Sequence, residues 1–302
     1  MPRQGSKRNA INGGQGYAWS MCRLYGFRSS VDSHVHRSLV AAENALAVQS
    51  RRHGDGWGIA YYVDRFPHLI RNDRQAMSDS LFREVSGVVA TKTFLAHIRK
   101  ATVGSVGVLN CHPFQHGAWT FAHNGEIAGF AEDPAIRERA RALVDERFRR
   151  FILGATDSEI CFYLFLSHLN RLVDDVHSPG VGTRRVVDAL RRVVEQLLEL
   201  DGGSGSLLTF LITNGNVLLG YRRRRELFYS THKSQCGERD TCPAFEAARC
   251  EQEPRDGIVK HLILASETPD EGPNVWQELE EDGFVAVGHG MNLTRGGLLN
   301  LS

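Results

Sequence analysis

No apolar run in this 302-residue chain approaches the roughly 18 residues that a membrane-spanning helix needs, so the chain reads as a soluble protein with no membrane partner. An excess of one charge is missing as well. Lys and Arg number 36 against 35 Asp and Glu, and a net charge of +1 argues against bulk binding of nucleic acid. Cysteine is sparse: six residues, at 22, 111, 161, 236, 242 and 250, make no disulfide framework in a chain this long and point to a reducing, cytoplasmic setting. Residues 1–20 hold three basic residues, no acid and no apolar core, which is not a secretory signal. Residues 1–21 therefore read as an N-terminal extension or propeptide. No long Pro/Gly/Ser-rich linker and no internal repeat appear, so residues 22–302 are expected to form one domain.

What is present is an ordinary globular composition, 42% hydrophobic and 24% charged. The stretch Met21-Cys22-Arg23-Leu24-Tyr25-Gly26-Phe27 reads as a short buried strand with a thiol at its start. Ser38 to Arg52 has a helical pattern that ends at the turn Gly54-Asp55-Gly56. Residues 57–63, 91–98 and 118–123 are strand-like in their β-branched and aromatic content. Helices are expected over 134–151, 156–173 and 183–200, the second opened by the capping-box pair Thr156 and Glu159. A hairpin over 207–223 turns at Asn214-Gly215-Asn216, and late strands are expected at 258–265 and 284–288. Strands, then helices, then strands suggest a layered α+β fold.

Each residue type that carries chemistry also has a bland reading. Cys22 is a small buried apolar residue, or, once Met21 is removed, a nucleophile whose own α-amino group, of reference pKa about 7.7–8.0, takes the thiol proton. Arg99, in His97-Ile98-Arg99-Lys100-Ala101-Thr102, is a surface charge or a fork for a substrate α-carboxylate. His123-Asn124-Gly125-Glu126 is a tight turn, or a pair of oxyanion donors. Asp157 favours a helix dipole, or holds an α-ammonium. Asn110-Cys111-His112-Pro113-Phe114 contains a rival thiol, but neighbours in an extended segment face opposite ways, which places Cys111 and His112 poorly as a pair.

Taken in order, these stretches, together with Arg-His-Gly-Asp-Gly-Trp-Gly at 52–58 and Thr-Asp-Ser-Glu at 156–159, closely resemble class II glutamine amidotransferases, which are N-terminal-nucleophile hydrolases, and within them the stand-alone YafJ-like branch. The resemblance is strong over 22–175, with a weaker echo at Ala265-Ser266-Glu267. It implies a four-layer αββα sandwich. It implies Cys22 as nucleophile, Asn124 and Gly125 as the oxyanion hole, and Arg99, Thr102, His112 and Asp157 at the substrate. It further implies attack on a γ-carboxamide through a γ-glutamyl thioester, with no metal and no cofactor. Gly54, Asp55 and Gly56 match a loop expected to shape the pocket.

No phosphate-binding glycine loop follows, which favours a hydrolase of glutamine or another γ-glutamyl amide. A glutaminase subunit with a separate synthase partner and a silent binding protein on the same fold are the alternatives. The run Arg222 to Arg225 reads as a solvated edge. Cys236, Cys242 and Cys250, spaced by six and eight, lack the tight pair of a zinc site and read as a mobile insertion.

Overall fold

The computed structural model describes residues 22–35, 37–42, 44–203, 205–268 and 272–299. The expected extension over 1–21 lies outside them, as do residues 300–302.

Strand β1 (Arg23–His34) shows why two layers form. Its odd-numbered Tyr25 and Phe27 pack with Trp57, Ile59, Phe82 and Phe94, while even-numbered Leu24 packs with Ala60, Leu95, Ala122, Leu211 and Leu264. A period of two thus divides one strand between an outer and an inner core. The other strands are β2 (Trp57–Val63), β3 (Phe66–Asn72), β4 (Ala90–Ile98), β5 (Phe114–His116), β6 (Trp119–Glu126), β7 (Leu207–Thr213), β8 (Leu218–Tyr221), β9 (Phe228–Ser230), β10 (His261–Ala265), β11 (Gln277–Glu278), β12 (Gly283–Val287) and β13 (Leu293–Gly297). They form a seven-stranded sheet, β11-β9-β10-β1-β4-β2-β3, and a six-stranded sheet, β13-β12-β8-β7-β6-β5. Every paired neighbour is antiparallel.

The helices are α1 (Leu46–Gln49), α2 (Ser80–Val88), α3 (Pro134–Leu143), α4 (Glu146–Arg149), α5 (Asp157–Leu172), α6 (Thr183–Leu200) and α7 (Ala247–Cys250). Outer faces of strands need cover. Around α1 and α2 the first sheet gains it from Leu39, Leu46 and Phe82. Over the second sheet, α5 stacks Phe162 on Phe121 at 5.5 Å and sets Phe165 edge-on to Trp119 at 5.4 Å. Helix α6 closes that side with Val186, Leu190, Val193, Val194 and Leu197, the spacing of one helical face. Helices on both outer faces of two stacked sheets make the αββα sandwich.

Two expected helices break. Residues 38–52 form a π-helical turn at Arg37–Ala41, the short α1 and a 3₁₀ turn at Ser50–Arg52. The interruption is Ala45, at ψ 158°, in an extended conformation that no helix continues through. Residues 134–151 divide between α3 and α4 because Val144 turns extended and the Asp145 amide donates to Ser167 Oγ on α5, 3.0 Å away. The capping box is half formed. Thr156 accepts from the Glu159 amide at 3.3 Å, but the Glu159 carboxylate turns back to the Leu153 and Gly154 amides. Strands β3, β5, β9, β11 and β13 and helices α2 and α7 are not among the elements expected from the sequence.

Tyr62 ties the layers polar to polar. From β2 its hydroxyl lies within hydrogen-bond distance of the carbonyls of Ala118 (2.8 Å) and Thr213 (3.1 Å), which share its one proton, and of Thr120 Oγ1 (3.0 Å), all at the second sheet. Tyr62→Phe would strand these buried acceptors, so its urea midpoint should fall by the equivalent of about 1–2 kcal/mol. An unchanged midpoint would show that the tie carries no stability.

Candidate functional site

Cys22 continues the even-numbered side of β1, the side that carries Leu24 into the space between the sheets. On β6, Ala122 points into that same space, and parity places Asn124 with it, while Phe121 points to the outer core. Two strands from different sheets therefore turn a thiol and a carboxamide toward the space between the sheets.

The thiol is held by main chain. Cys22 Sγ accepts from the Lys100 amide at 3.2 Å and donates to the Lys100 carbonyl at 3.3 Å. Lys100 lies just past β4, and its segment is clamped by the turn at 54–56. The Arg99 amide donates to Gly56 O (2.8 Å), the Asp55 amide to Arg99 O (3.3 Å), and the Ala101 amide to Asp55 Oδ2 (2.9 Å). Asp55 also pairs with Lys100 Nζ at 3.6 Å. Gly56 has φ +133°, and a β-carbon there would stand 2.5 Å from Cys111 Sγ and 2.9 Å from Asn72 O. Only glycine fits that corner.

Arg99 is 2% exposed and makes no ion pair with a described carboxylate. Its guanidinium donates instead to the carbonyls of Ser105 (3.1 Å) and Val103 (3.0 Å). Asn110 staples this loop to the second sheet's helix layer, giving Nδ2 to Ser105 O (2.9 Å) and accepting the Ala155 amide (2.9 Å) just ahead of α5. On the first turn of α5, Asp157 is 2% exposed. It accepts the Ile127 amide at 2.7 Å and the Ser158 amide at 2.9 Å, and burial lifts its carboxyl to about 6. Ile127 stands two residues beyond Gly125. Gly125 itself has φ +156°, and a β-carbon there would fall 1.8 Å from Leu207 O, so the backbone reaches this position only without a side chain. The amide oxygen of Asn124, 4% exposed, has no hydrogen-bond partner among the described residues.

The expected residues thus divide. Hydrogen bonds link them in two groups: Cys22 sits on the amide of Lys100, next to Arg99, and Asp157 is tied through the Ile127 amide to the end of the strand that carries Asn124 and Gly125, while Asn110 links the loop under Arg99 to the segment ahead of α5. Thr102 is exposed beside the loop that holds Arg99. His112 is 4% exposed and packs its ring on His97 at 4.2 Å and on Phe114 at 4.6 Å. Burial holds its basicity well below that of an ordinary histidine and brings His97 down to about 3, so both rings are neutral at physiological pH. Cys111 is fully buried and burial raises its thiol to about 11, which makes it a poor rival nucleophile.

Sequence reasoning missed Lys100, whose contribution is a backbone amide and leaves no side-chain signal. It missed Asn110 as a staple, although the residue stood in a motif. The run at 222–225 is not a solvated edge: Arg222 pairs with Glu278 at 2.6 Å and Arg223 with Asp282 at 2.6 Å. Cys236, Cys242 and Cys250 are free thiols lining a cavity of 480 Å³ on the outer face of the first sheet, and no metal-binding cluster is found among the described residues. No helix among them is long and apolar enough to cross a membrane.

Burial raises the Cys22 thiol, and this outweighs the lowering by the Lys100 backbone and the charges of Arg99 and Arg23. With the chain intact, iodoacetamide should therefore label Cys22 at a rate that still climbs above pH 9, followed by mass spectrometry of its peptide. A rate already level by pH 8 would contradict this electrostatic balance.

Comparison with known proteins agrees with the architecture. A family model described as glutamine amidotransferases class-II matches residues 21–240. The probable glutamine amidotransferase DUG3 of Saccharomyces cerevisiae is 26% identical over 226 residues, covering 66% of this chain and 62% of the yeast protein. A γ-glutamyl-hercynylcysteine sulfoxide hydrolase of Mycobacterium tuberculosis is 31% identical over 117 residues, covering 35% of this chain and 50% of that protein. Among solved structures, a glutamine aminotransferase class-II domain protein from Silicibacter pomeroyi superposes with a TM-score of 0.59 at 22% identity, covering 91% of this chain and 99% of the other. The chain spans less than two thirds of the yeast and mycobacterial proteins. With the family match extending over most of its length, this chain belongs to the class II glutamine amidotransferases.

Proposed function

We propose that the protein hydrolyses the γ-carboxamide of glutamine or of a γ-glutamyl amide, with Cys22 as an N-terminal nucleophile. The observation that carries this reading is the Cys22 sulfur seated on the Lys100 amide, with a buried cation, Arg99, next in the chain to Lys100, and a buried carboxylate, Asp157, on the first turn of α5, the two segments linked by Asn110. A buried cation and a buried anion without mutual pairing suit a zwitterion. Arg99 takes the substrate α-carboxylate as a fork, and Asp157 takes the α-ammonium. The γ-carbonyl is then presented to the sulfur. The mycobacterial relative's name, a γ-glutamyl hydrolase, supports an amine as leaving group as well as ammonia.

The chemistry follows from the groups. Freed of Met21, the α-amine of Cys22 takes the thiol proton as sulfur bonds the carbonyl carbon of the γ-carboxamide. The oxygen gains negative charge, which the Asn124 side-chain amide and the Gly125 N–H meet; one such donor contributes about 3–4 kcal/mol to the transition state. The C–N bond breaks, the leaving nitrogen takes the proton from the α-ammonium, and a γ-glutamyl thioester remains. Water adds to the thioester carbon, its proton passing to the α-amine, and glutamate leaves as the thiol is restored. No step calls for a metal or redox cofactor, nor for a synthase partner. Thr102 and His112 act by shaping the loop and the pocket wall rather than by proton transfer, since His112 stays neutral. The reaction is placed in the cytoplasm, where six free thiols persist.

The test is glutamate release from glutamine by the full chain and by a form whose first residue is Cys22. The shorter form should turn over, the form retaining residues 1–21 should be at least about 100-fold slower, consistent with the contribution of a positioned base, and Cys22→Ala should release none. Glutamate release by the alanine variant would overturn the reading.

Asp157 gives a second expectation. Its carboxyl, lifted to about 6, must be ionised to pair with the substrate ammonium. KM for glutamine should therefore rise as pH falls through 6, because protonation removes the anion. Asp157→Asn should have a high KM that is flat across that range, and a wild-type KM equally flat between pH 5 and 7 would exclude the assignment.

A further inference from the structure

The strand that carries Cys22 has a second face. Cys22 and Leu24 turn toward the space between the sheets, whereas Tyr25 and Phe27 lie on the outer side, and parity places Ser29 with them. In the register of β1 with β10, Phe27 stands opposite Ile263 and Ser29 opposite His261, so this patch of sheet is apolar at one end and polar at the other. Neither α1 nor α2 lines the space above it; segments 233–250 and 273–276 do. Those segments are bonded to each other. The Lys233 amide donates to Cys250 O (2.8 Å), the Ser234 amide to Pro273 O (2.6 Å) and the Val275 amide to His232 O (3.0 Å). The result is a braced roof that stands off the sheet over the 480 Å³ cavity already noted, a volume within the range of about 300–1,000 Å³ that small-molecule sites occupy.

Buried polar atoms without a partner point to the same place. Apart from guanidinium nitrogens, the buried side-chain atoms that lack a hydrogen-bond partner among the described residues fall in two groups. One comprises His53, His97, His112 and Asn124, of the site described above. The other comprises His261 Nε2, Asn274 Oδ1 and Trp276 Nε1, and all three residues line the cavity. Folding rarely leaves such atoms unmatched, and a cluster of them around one cavity marks an occupant. The chemistry of that occupant follows from the atoms. An indole nitrogen only donates, a carboxamide oxygen only accepts, and His261 is neutral because burial, followed by the charge of Lys233, brings it down to about 3. Tyr25, Phe27 and Ile263 offer a flat apolar floor beside them.

We propose that this cavity is a second small-molecule site, which binds a planar aromatic ring carrying an uncharged acceptor–donor pair, a carboxamide or a lactam, on one edge. The carbonyl of the ligand takes the Trp276 N–H, its N–H goes to Asn274 Oδ1, and its ring lies on the floor. A carboxylate satisfies Trp276 but has no hydrogen for Asn274. Lys233 and Lys260 also line the wall, Lys260 paired with Glu246 at 3.4 Å, so a charged ligand is the alternative that the test must separate. The site is independent of the nucleophile, which faces the other side of the sheet.

The test is calorimetric titration of the full chain with benzamide, quinolin-2-one and benzoate. The two uncharged compounds should bind with a Kd of about 1 mM or tighter, as expected of ligands this small, and benzoate at least about fivefold more weakly. Trp276→Phe, which keeps a ring and removes the N–H, and Asn274→Ala should each weaken the uncharged compounds by about fivefold or more. In the wild type, saturating quinolin-2-one should slow iodoacetamide labelling of Cys236 and Cys242 by at least about threefold, as a ligand largely enclosed by the cavity does, and leave the rate at Cys22 unchanged. This protection holds the proposal to account even if a variant fails to fold. Failure of both uncharged compounds to bind, which is the result for a cavity that holds water alone, would overturn it. So would a preference for benzoate, an affinity that survives both substitutions, or binding that leaves Cys236 and Cys242 unprotected.

Discussion

The seat of a sulfur atom on a peptide amide governs this structure. Among the described residues no side chain bonds Cys22; the Lys100 N–H and C=O fix it, and Lys100 can offer them only while its segment is held still. The Asp55 carboxylate and the Gly56 carbonyl provide that restraint, and Gly56 can approach because it has no β-carbon to strike the Cys111 sulfur. The same clamp sets the direction of Arg99, one residue earlier. A loop of three residues thus positions a thiol and a cation together, although neither belongs to it.

Around that seat the protein concentrates groups that a core ordinarily avoids. Among the described residues, Arg99 is buried with carbonyl dipoles as its hydrogen-bond partners, and Asp157 with backbone amides and the Ser158 hydroxyl. The rings of His53, His97 and His112 are buried without hydrogen bonds to described residues. Each costs stability when considered alone. The sandwich tolerates them because its three apolar clusters, one between the sheets and one under each helical layer, are continuous and well filled. Two buried charges of opposite sign, neither in an ion pair with a described residue and on segments that Asn110 links, suit the zwitterion of the proposed substrate.

The layered fold was legible in the sequence because the period of two in β1 and β6 and the amphipathic face of α6 are local patterns. The two long helices that broke were not, since Ala45 turns extended under tertiary packing and the Asp145 amide prefers a hydroxyl from another helix. Each residue type alone left a bland reading open, and Cys22, Arg99, Asn124, Gly125 and Asp157 could be named because their stretches, taken in order, resemble the family. Lys100 could not, because it acts through its backbone.

The central claim is that Cys22 becomes an N-terminal nucleophile. Its most direct test is the intact mass and N-terminal sequence of the purified protein before and after exposure to a glutamine-shaped diazoketone, which alkylates such thiols. The account predicts a chain that begins at Cys22 and gains a single adduct, mapped to that residue, while Cys111 stays unmodified. A chain that begins at Cys22 and takes no label, or takes it on another cysteine, would contradict it.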